Sequence, residues 1–323
     1  MQKLNNNLKD AIKNWSNENQ QNEYLDINNY IFFSNNIKSI DEFNEFELKF
    51  KKKNEKRFKV KKYDELTINN ILHFIKSNNI PTNNILDIKV FMSNEYEKLS
   101  RELSKIIIYD CVDENCTYEY GKWTEYNQDY INMIEKEIDK ISAKFYPEYS
   151  FETKEYDDYI TKRINSTKKE DESINEKKYN ETVFNEYLGE CHGHTYYDKD
   201  LWRDRGYSVE VMDLYKDGVA YSVKKGSGAQ KLSYVVDQSI EGIKILRNED
   251  TKFDEKIEKV GIWIILDNKK PIHDENNNVD LNKLKVLILK IKIVAWAQQM
   301  RQWGYEPIIR INYKKKNDKD DKK

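Results

Sequence analysis

Cysteine is scarce in this chain. The three present, Cys111, Cys116 and Cys191, are an odd number and follow no basic-then-apolar leader, which excludes a disulfide framework and points to a reduced, cytoplasmic protein. Long apolar runs are missing too. The nearest, Val286 to Ala297, is broken by Lys290 and Lys292 and falls short of the roughly 18 consecutive apolar residues of a membrane helix, so a soluble protein with no membrane partner is expected. A net charge of −2 supplies no global positive field, and nucleic acid, if bound, must be held by a local patch. Glycine (10) and proline (4) are few beside abundant Asn and Lys, the codon bias of an AT-rich genome. Neither a Walker lysine signature nor a dinucleotide fingerprint is present, and no internal repeat appears.

What the chain does contain is aromatic surface. Apolar residues make up only 38% and charged residues 35%, but 23 Tyr, 12 Phe and 6 Trp give the large buried areas that disordered chains lack. A length of 323 residues fits two domains. Residues 1–150 read as a mixed α/β domain with helices at Asp41 to Lys51 and Asn94 to Lys105, the second carrying Tyr96, Leu99, Leu103 and Ile106 at helical spacing. Between them Lys49 to Lys62 (KFKKKNEKRFKVKK) is a cationic run interleaved with Phe50, Phe58 and Val60, either a nucleic-acid patch or a solvated hairpin with inward aromatics. Residues 151–175 are crowded with charge and read as a linker. Residues 176–313 form a second domain, and 314–323 a charged tail.

The second domain is the more legible. A helix over Glu176 to Glu190 precedes a strand, Tyr207 to Tyr215, and Asp217-Gly218 between alternating apolar runs is a hairpin signal. The partner strand is Val219 to Lys225. After the loop Gly226-Ser227-Gly228 come a helix from Lys231 to Leu246, an interior strand from Val260 to Leu266, a helix from Leu281 to Trp303 stopped by Gly304, and a closing strand from Pro307 to Tyr313. This order argues a mixed sheet flanked by helices. With the turn at 217–218, Leu214 pairs with Tyr221, Asp213 with Ser222 and Val211 with Lys224. A carboxylate, a hydroxyl and an ammonium then share a face, opposite an apolar face of Met212, Leu214, Tyr221 and Val223. An ordinary surface ion pair between Asp213 and Lys224 accounts for the same pattern.

The segment VEVMDLY-KDG-VAYSVKK, followed by a helix bearing Gln238, resembles the PD-(D/E)XK nuclease superfamily. There the core is a helix, a β-hairpin and a further helix and strand: a restriction-endonuclease-like α/β fold. The resemblance implies that Asp213 binds Mg²⁺ or Mn²⁺, that Lys224 orients the attacking water and that Gln238 joins from the helix. Ser222 departs from the pattern, standing where a second carboxylate belongs, and Mg²⁺ favours one or two carboxylates with its waters. Glu176, Glu186 or Glu190 on the preceding helix are the candidates to replace it.

A broader resemblance runs from about Glu97 to Tyr313. The pieces EKLSREL, GKWTEYNQDYINMIEKEI, EKKYN, VEVMDLY, SVKKGSGAQKLSYVVDQ and WGYEPIIRI look like a sporadically distributed family of uncharacterised bacterial proteins, scattered as genes of mobile defence loci are. Glu210, Asp213, Lys224, Ser233 and Gln238 keep that family's pattern, while Met212 and Ser222 depart from it. The match of Tyr179-Asn180 after Glu176 makes Glu176 the first choice for the missing acid and second metal ligand.

Lys225, Gly226, Ser227 and Gly228 before a helix form a candidate phosphate-gripping loop together with Ser222, although two glycines also simply permit a tight connection. Cys191-His192-Gly193-His194 contains zinc-type ligands without a second pair at finger-like separation. Trp296 and Trp303 read as packing residues. The expectation is therefore a cytoplasmic metal-dependent nuclease acting in anti-phage defence, with nucleic acid as partner and a protein partner or homo-oligomer left open. Its rivals are a non-catalytic binding module on a degenerate nuclease fold and a transferase of nucleotide or ADP-ribose groups using Glu210.

Overall fold

In the computed structural model, Asp217 and Gly218 both take positive φ, 49° and 79°, the left-handed pair that a two-residue type I′ turn demands. The structure describes residues 2–13, 29–33, 43–52, 54–166, 181–197, 211–226, 229–247, 253–266, 271–284 and 286–313. These form a mixed α+β protein that divides into two compact units, Met1–Ile131 with Lys285–Ile288, and Asn132–Leu284 with Leu289–Lys323.

The first unit opens with α1 (Gln2–Lys13) and β1 (Asn29–Phe33), followed by β2 (Glu45–Phe50), β3 (Lys59–Tyr63), α2 (Ile68–Ser77), β4 (Lys89–Ser93) and β5 (Lys98–Glu102). It continues through the short α3 (Leu103–Ile106), β6 (Ile107–Cys111), β7 (Cys116–Glu119) and β8 (Lys122–Glu125), and α4 (Gln128–Ile138) begins at its end. Among the described residues it holds two four-stranded sheets, ordered β3-β2-β4-β5 and β1-β6-β7-β8. Both expected helices are corrected here. Over 45–50 the sequence EFELKF alternates, burying Phe46, Leu48 and Phe50, so a period of two outweighs helix propensity. Over 94–97 the side chain of Asn94 accepts the N–H groups of Tyr96 and Glu97 and turns the chain into β5. Tyr96, expected on a packing stripe, is 90% exposed.

The cationic run forms a hairpin, β2 pairing β3 in antiparallel register. Only Phe50 of its apolar residues turns inward. Phe58 and Val60 stand 49% and 48% exposed, the Lys51 ammonium lying 5.2 Å over the Phe58 ring.

The second unit carries β9 (Ser142–Phe145), α5 (Lys154–Ser166), α6 (Glu181–His192), β10 (Thr195–Tyr196), β11 (Leu214–Lys216) and β12 (Val219–Gly226). After these come α7 (Ala229–Leu246), β13 (Lys259–Leu266), α8 (Leu287–Gln302) and β14 (Glu306–Tyr313). Among the described residues its strands make one six-stranded mixed sheet in the order β10-β11-β12-β13-β14-β9. The hairpin is antiparallel, whereas β12, β13, β14 and β9 run parallel, as helical crossovers require. β13 is buried along nearly its whole length. Leu214, Val219, Tyr221, Val223, Trp263 and Ile265 form one face, packed with Phe184 and Tyr187 of α6 and Tyr156 of α5.

The expected linker at 151–175 differs from the structure over its first part. Lys154–Ser166 is helical, and Phe151, Tyr156, Tyr159 and Ile160 are buried; their aromatic stripe outweighs the charge around it. Of the expected strand over 207–215, residues 207–210 lie outside the described residues and the described part pairs in the ladder from Leu214; the C-terminal helix starts at Leu287 after a 3₁₀ turn at Leu281–Lys283. The tail, 314–323, lies outside the described residues.

Candidate functional site

The hairpin register agrees with the sequence through Lys216–Val219, Tyr215–Ala220 and Leu214–Tyr221, and departs at the residue that matters most. Asp213 does not pair with Ser222. Its N–H instead donates to the Tyr221 carbonyl at 2.8 Å, and its carboxylate Oδ2 accepts the backbone N–H of Val223 at 2.7 Å. A side-chain oxygen thus does the work of the next strand carbonyl, which ends the ladder and turns the Asp213 carboxyl onto the edge of β12. Gly242 of α7 permits this path: a Cβ there would stand 2.0 Å from the Val211 carbonyl oxygen.

Two residues further along the same edge the arrangement repeats. The N–H of Lys225 donates to Oε2 of Glu181 at 3.0 Å, while the Lys224 ammonium donates to Oε1 at 3.1 Å. Alternate N–H groups of a strand point to one side, so Asp213 and Glu181 present their carboxylates in sequence along the edge that β11 leaves uncovered. Glu181 opens α6, where the N-terminal end of the helix dipole favours a negative charge. Lys224 also lies 5.4 Å over the ring of Tyr234 on α7. Burial pushes its pKa down, but the charge and hydrogen bond of Glu181, with Asp213 behind them, outweigh burial and leave it above 10.5. Asp213 is 8% exposed, and the side chains of Lys224 and Glu181 are 23% and 25% exposed, so the cluster is sheltered without being sealed.

The structure therefore gathers Asp213 and Lys224 and adds Glu181, a residue that the sequence did not single out. The signal was available: Glu181 is the first acid after the charged stretch that stays in phase with the apolar Phe184 and Leu188. Glu176, Glu210, Ser227 and Gly228 lie outside the described residues. Glu186 is paired with Arg163 and Glu190 is exposed. Ser222 is buried at 3%; Gly226 ends β12 opposite Leu266; Gln238 is half-buried on α7.

The two histidines of Cys191-His192-Gly193-His194 make local hydrogen bonds. The Nε2 of His192 bonds the Tyr187 hydroxyl at 2.7 Å, and Nδ1–H of His194 donates to the Leu188 carbonyl at 3.3 Å. Trp296 is fully buried and donates Nε1–H to Ser239, while Arg247 packs over Trp303.

Among the described residues no group of three or more His, Cys, Asp or Glu side chains is placed to hold a metal, and no helix is long and apolar enough to cross a membrane. Two carboxylates are nonetheless a sufficient protein share for Mg²⁺, which keeps several waters and uses substrate oxygens for the rest of its shell. Each oxygen of Asp213 and Glu181 has two lone-pair directions, so the hydrogen bonds already made leave acceptor capacity. By chemistry alone, carboxylate oxygens are the donor type that a hard divalent cation takes.

The chain matches, over residues 1–288, the model described as "Family of unknown function (DUF6119)", and it belongs to that family. No curated protein and no solved structure matches it.

Proposed function

We propose that this DUF6119 member is a metal-dependent nuclease hydrolysing phosphodiester bonds, in the setting of an anti-phage defence effector. The observation that carries the reading is the pair of carboxylates, Asp213 on Val223 N–H and Glu181 on Lys225 N–H, set along one strand edge with the Lys224 ammonium hydrogen-bonded to Glu181. The element order supports it as well: helix α6, a hairpin with Asp213 at its open end, helix α7 and the parallel strand β13 follow the core of the PD-(D/E)XK superfamily. Glu181 takes the part that Ser222 cannot.

In this reading Asp213 and Glu181 would hold Mg²⁺ or Mn²⁺, which supplies Lewis acidity at the phosphoryl group when bound. Lys224, kept charged by Glu181, hydrogen-bonds the attacking water or the non-bridging phosphate oxygen. Lys225, whose N–H meets Glu181, and Gln238 on α7 are assigned to substrate contact in this reading.

The test is incubation of the full chain with plasmid, single-stranded DNA and RNA in Mn²⁺ or EDTA, alongside Asp213→Asn, Glu181→Gln and Lys224→Met. Mn²⁺-dependent cleavage lost in all three folded variants is the expected result. Cleavage that persists in them refutes the site.

One observation favours a second reading, a binding module without catalysis. Both oxygens of Glu181 are already engaged and Ser222 offers no further carboxylate, so the trio can also serve as a neutralised strand cap. Nucleic-acid binding without cleavage by the unaltered protein would select this alternative.

A further inference from the structure

On the opposite face of the same sheet, Arg310 of β14 is ringed by aromatic side chains. Tyr221 and Lys224 are three residues apart on β12 and so face opposite ways, which separates this region from the carboxylate pair. The guanidinium carbon lies 4.5 Å from the ring centres of Tyr146 and Tyr221, 4.8 Å from Trp263 and 5.8 Å from Tyr149. These rings cover the planar faces of the cation, which is favourable, but a ring face does little for N–H groups directed outward from the guanidinium edge. Nε and Nη1 of Arg310 are buried and have no hydrogen-bond partner among the described residues.

Two further buried polar atoms without partners among the described residues belong to the same neighbourhood, the Tyr221 hydroxyl and Nε2 of His194. The His194 ring lies 5.8 Å from Tyr149, 5.8 Å from Trp263 and 6.3 Å from Tyr221, three of the rings that surround Arg310. Because Nδ1–H of His194 donates to the Leu188 carbonyl, its Nε2 bears a lone pair. Burial, with Lys216 and Arg310 adding positive charge nearby, lowers the pKa of His194 to about 4, so the ring stays neutral at physiological pH. The Tyr221 ring is pressed against β13 where only glycine fits, since a Cβ on Gly261 would stand 2.3 Å from its Cδ1.

Arg310 is half-buried as a whole, and leaving the buried Nε and Nη1 donors of its guanidinium unpaired is strongly unfavourable. A group that satisfies this set must accept from Arg310, exchange a hydrogen bond with the Tyr221 hydroxyl and donate to His194 Nε2.

We propose that Arg310, Tyr221 and His194 form a binding site for a protonated tetrahedral oxyanion, inorganic phosphate or the terminal phosphate of a monoester taken up in its singly charged, P–OH form. Arg310 supplies charge and N–H donors, and the P–OH group donates to His194. Sulfate has the same shape and no proton at neutral pH, so the site selects phosphate over sulfate.

The experiment is calorimetric titration of the full chain with inorganic phosphate, a 5′-mononucleotide and sulfate at constant ionic strength, repeated with Arg310→Gln, Arg310→Lys and Tyr221→Phe. Saturable binding of phosphate or the mononucleotide is expected, with sulfate and the Arg310→Gln variant each weaker by at least about ten-fold. Binding of phosphate alone marks a free-anion site and binding of the mononucleotide alone an ester site; both support the proposal. Tyr221→Phe keeps the ring and serves if the Arg310 variants do not fold, with weakened binding expected. No saturable heat for either phosphate ligand, sulfate binding as tight as phosphate, or unchanged affinity in folded variants would overturn it.

Discussion

The carboxylate of Asp213 accepts the backbone N–H of Val223 at 2.7 Å, so one side chain both ends the hairpin ladder and places a negative charge on its open edge. Removing that acceptor leaves a buried amide unsatisfied, which costs about 1–3 kcal/mol. Asp213→Ala is therefore expected to lose that much in urea unfolding. Asp213→Asn keeps an acceptor oxygen, should retain most of the stability and should still abolish metal-dependent cleavage. Equal destabilisation by both changes would contradict the acceptor role.

Glu181 holds the Lys224 pKa above 10.5. The stability this pair contributes is fully present below the unfolded lysine value and is lost as pH rises through the higher folded value. Comparing unfolding free energies of the unaltered protein and Lys224→Met from about pH 9 to 12 should show their difference shrinking only at the alkaline end. In Glu181→Gln, burial is left to act on Lys224 with less opposition, and the loss should begin at lower pH. A pH-independent difference would argue against the pairing.

Gly242 lies beneath the approach to Asp213, with its virtual Cβ 2.0 Å from Val211 O. Alanine ordinarily stabilises a helix interior by roughly 1 kcal/mol relative to glycine, but overpacking against backbone costs about 1–3 kcal/mol and the clash prevails. Gly242→Ala should lower the unfolding midpoint and reduce any Asp213-dependent cleavage. A more stable, fully active variant would refute the close approach.

The exposed Phe58 and the lysines of the β2–β3 hairpin offer a local basic patch in a chain of net charge −2. If it binds nucleic acid, Lys51→Glu with Lys62→Glu should weaken oligonucleotide binding and lower the salt dependence of log K by about one for each phosphate no longer neutralised. Lys59 and Lys61 are engaged with Asn78 and His73, so these two are expected to matter less. Unchanged affinity and slope would assign the run to solvation.

Much of the second unit was legible because its signals are local. Asp-Gly set the turn, an apolar stretch marked interior β13, and Gly304 at φ +90° ended the last helix where expected. In the first unit the readings at 41–51 and 94–105 failed. Alternation in EFELKF and the side-chain turn at Asn94 compete with helix propensity only when a neighbouring strand is present to pair with, and that neighbour is distant in the chain.

Sequence alone determined the hairpin, its register as far as Leu214–Tyr221, and the presence of Asp213 and Lys224 near its open end, because backbone sterics and a two-residue repeat act between near neighbours. Only the tertiary structure decided that Asp213 leaves the ladder for the strand edge and that Glu181 joins Lys224 across 43 residues. It also decided that Arg310 comes to rest among four aromatic rings. Those outcomes depend on which buried N–H groups lack partners once the sheet has formed, and unmet hydrogen bonds exist only after distant elements have packed.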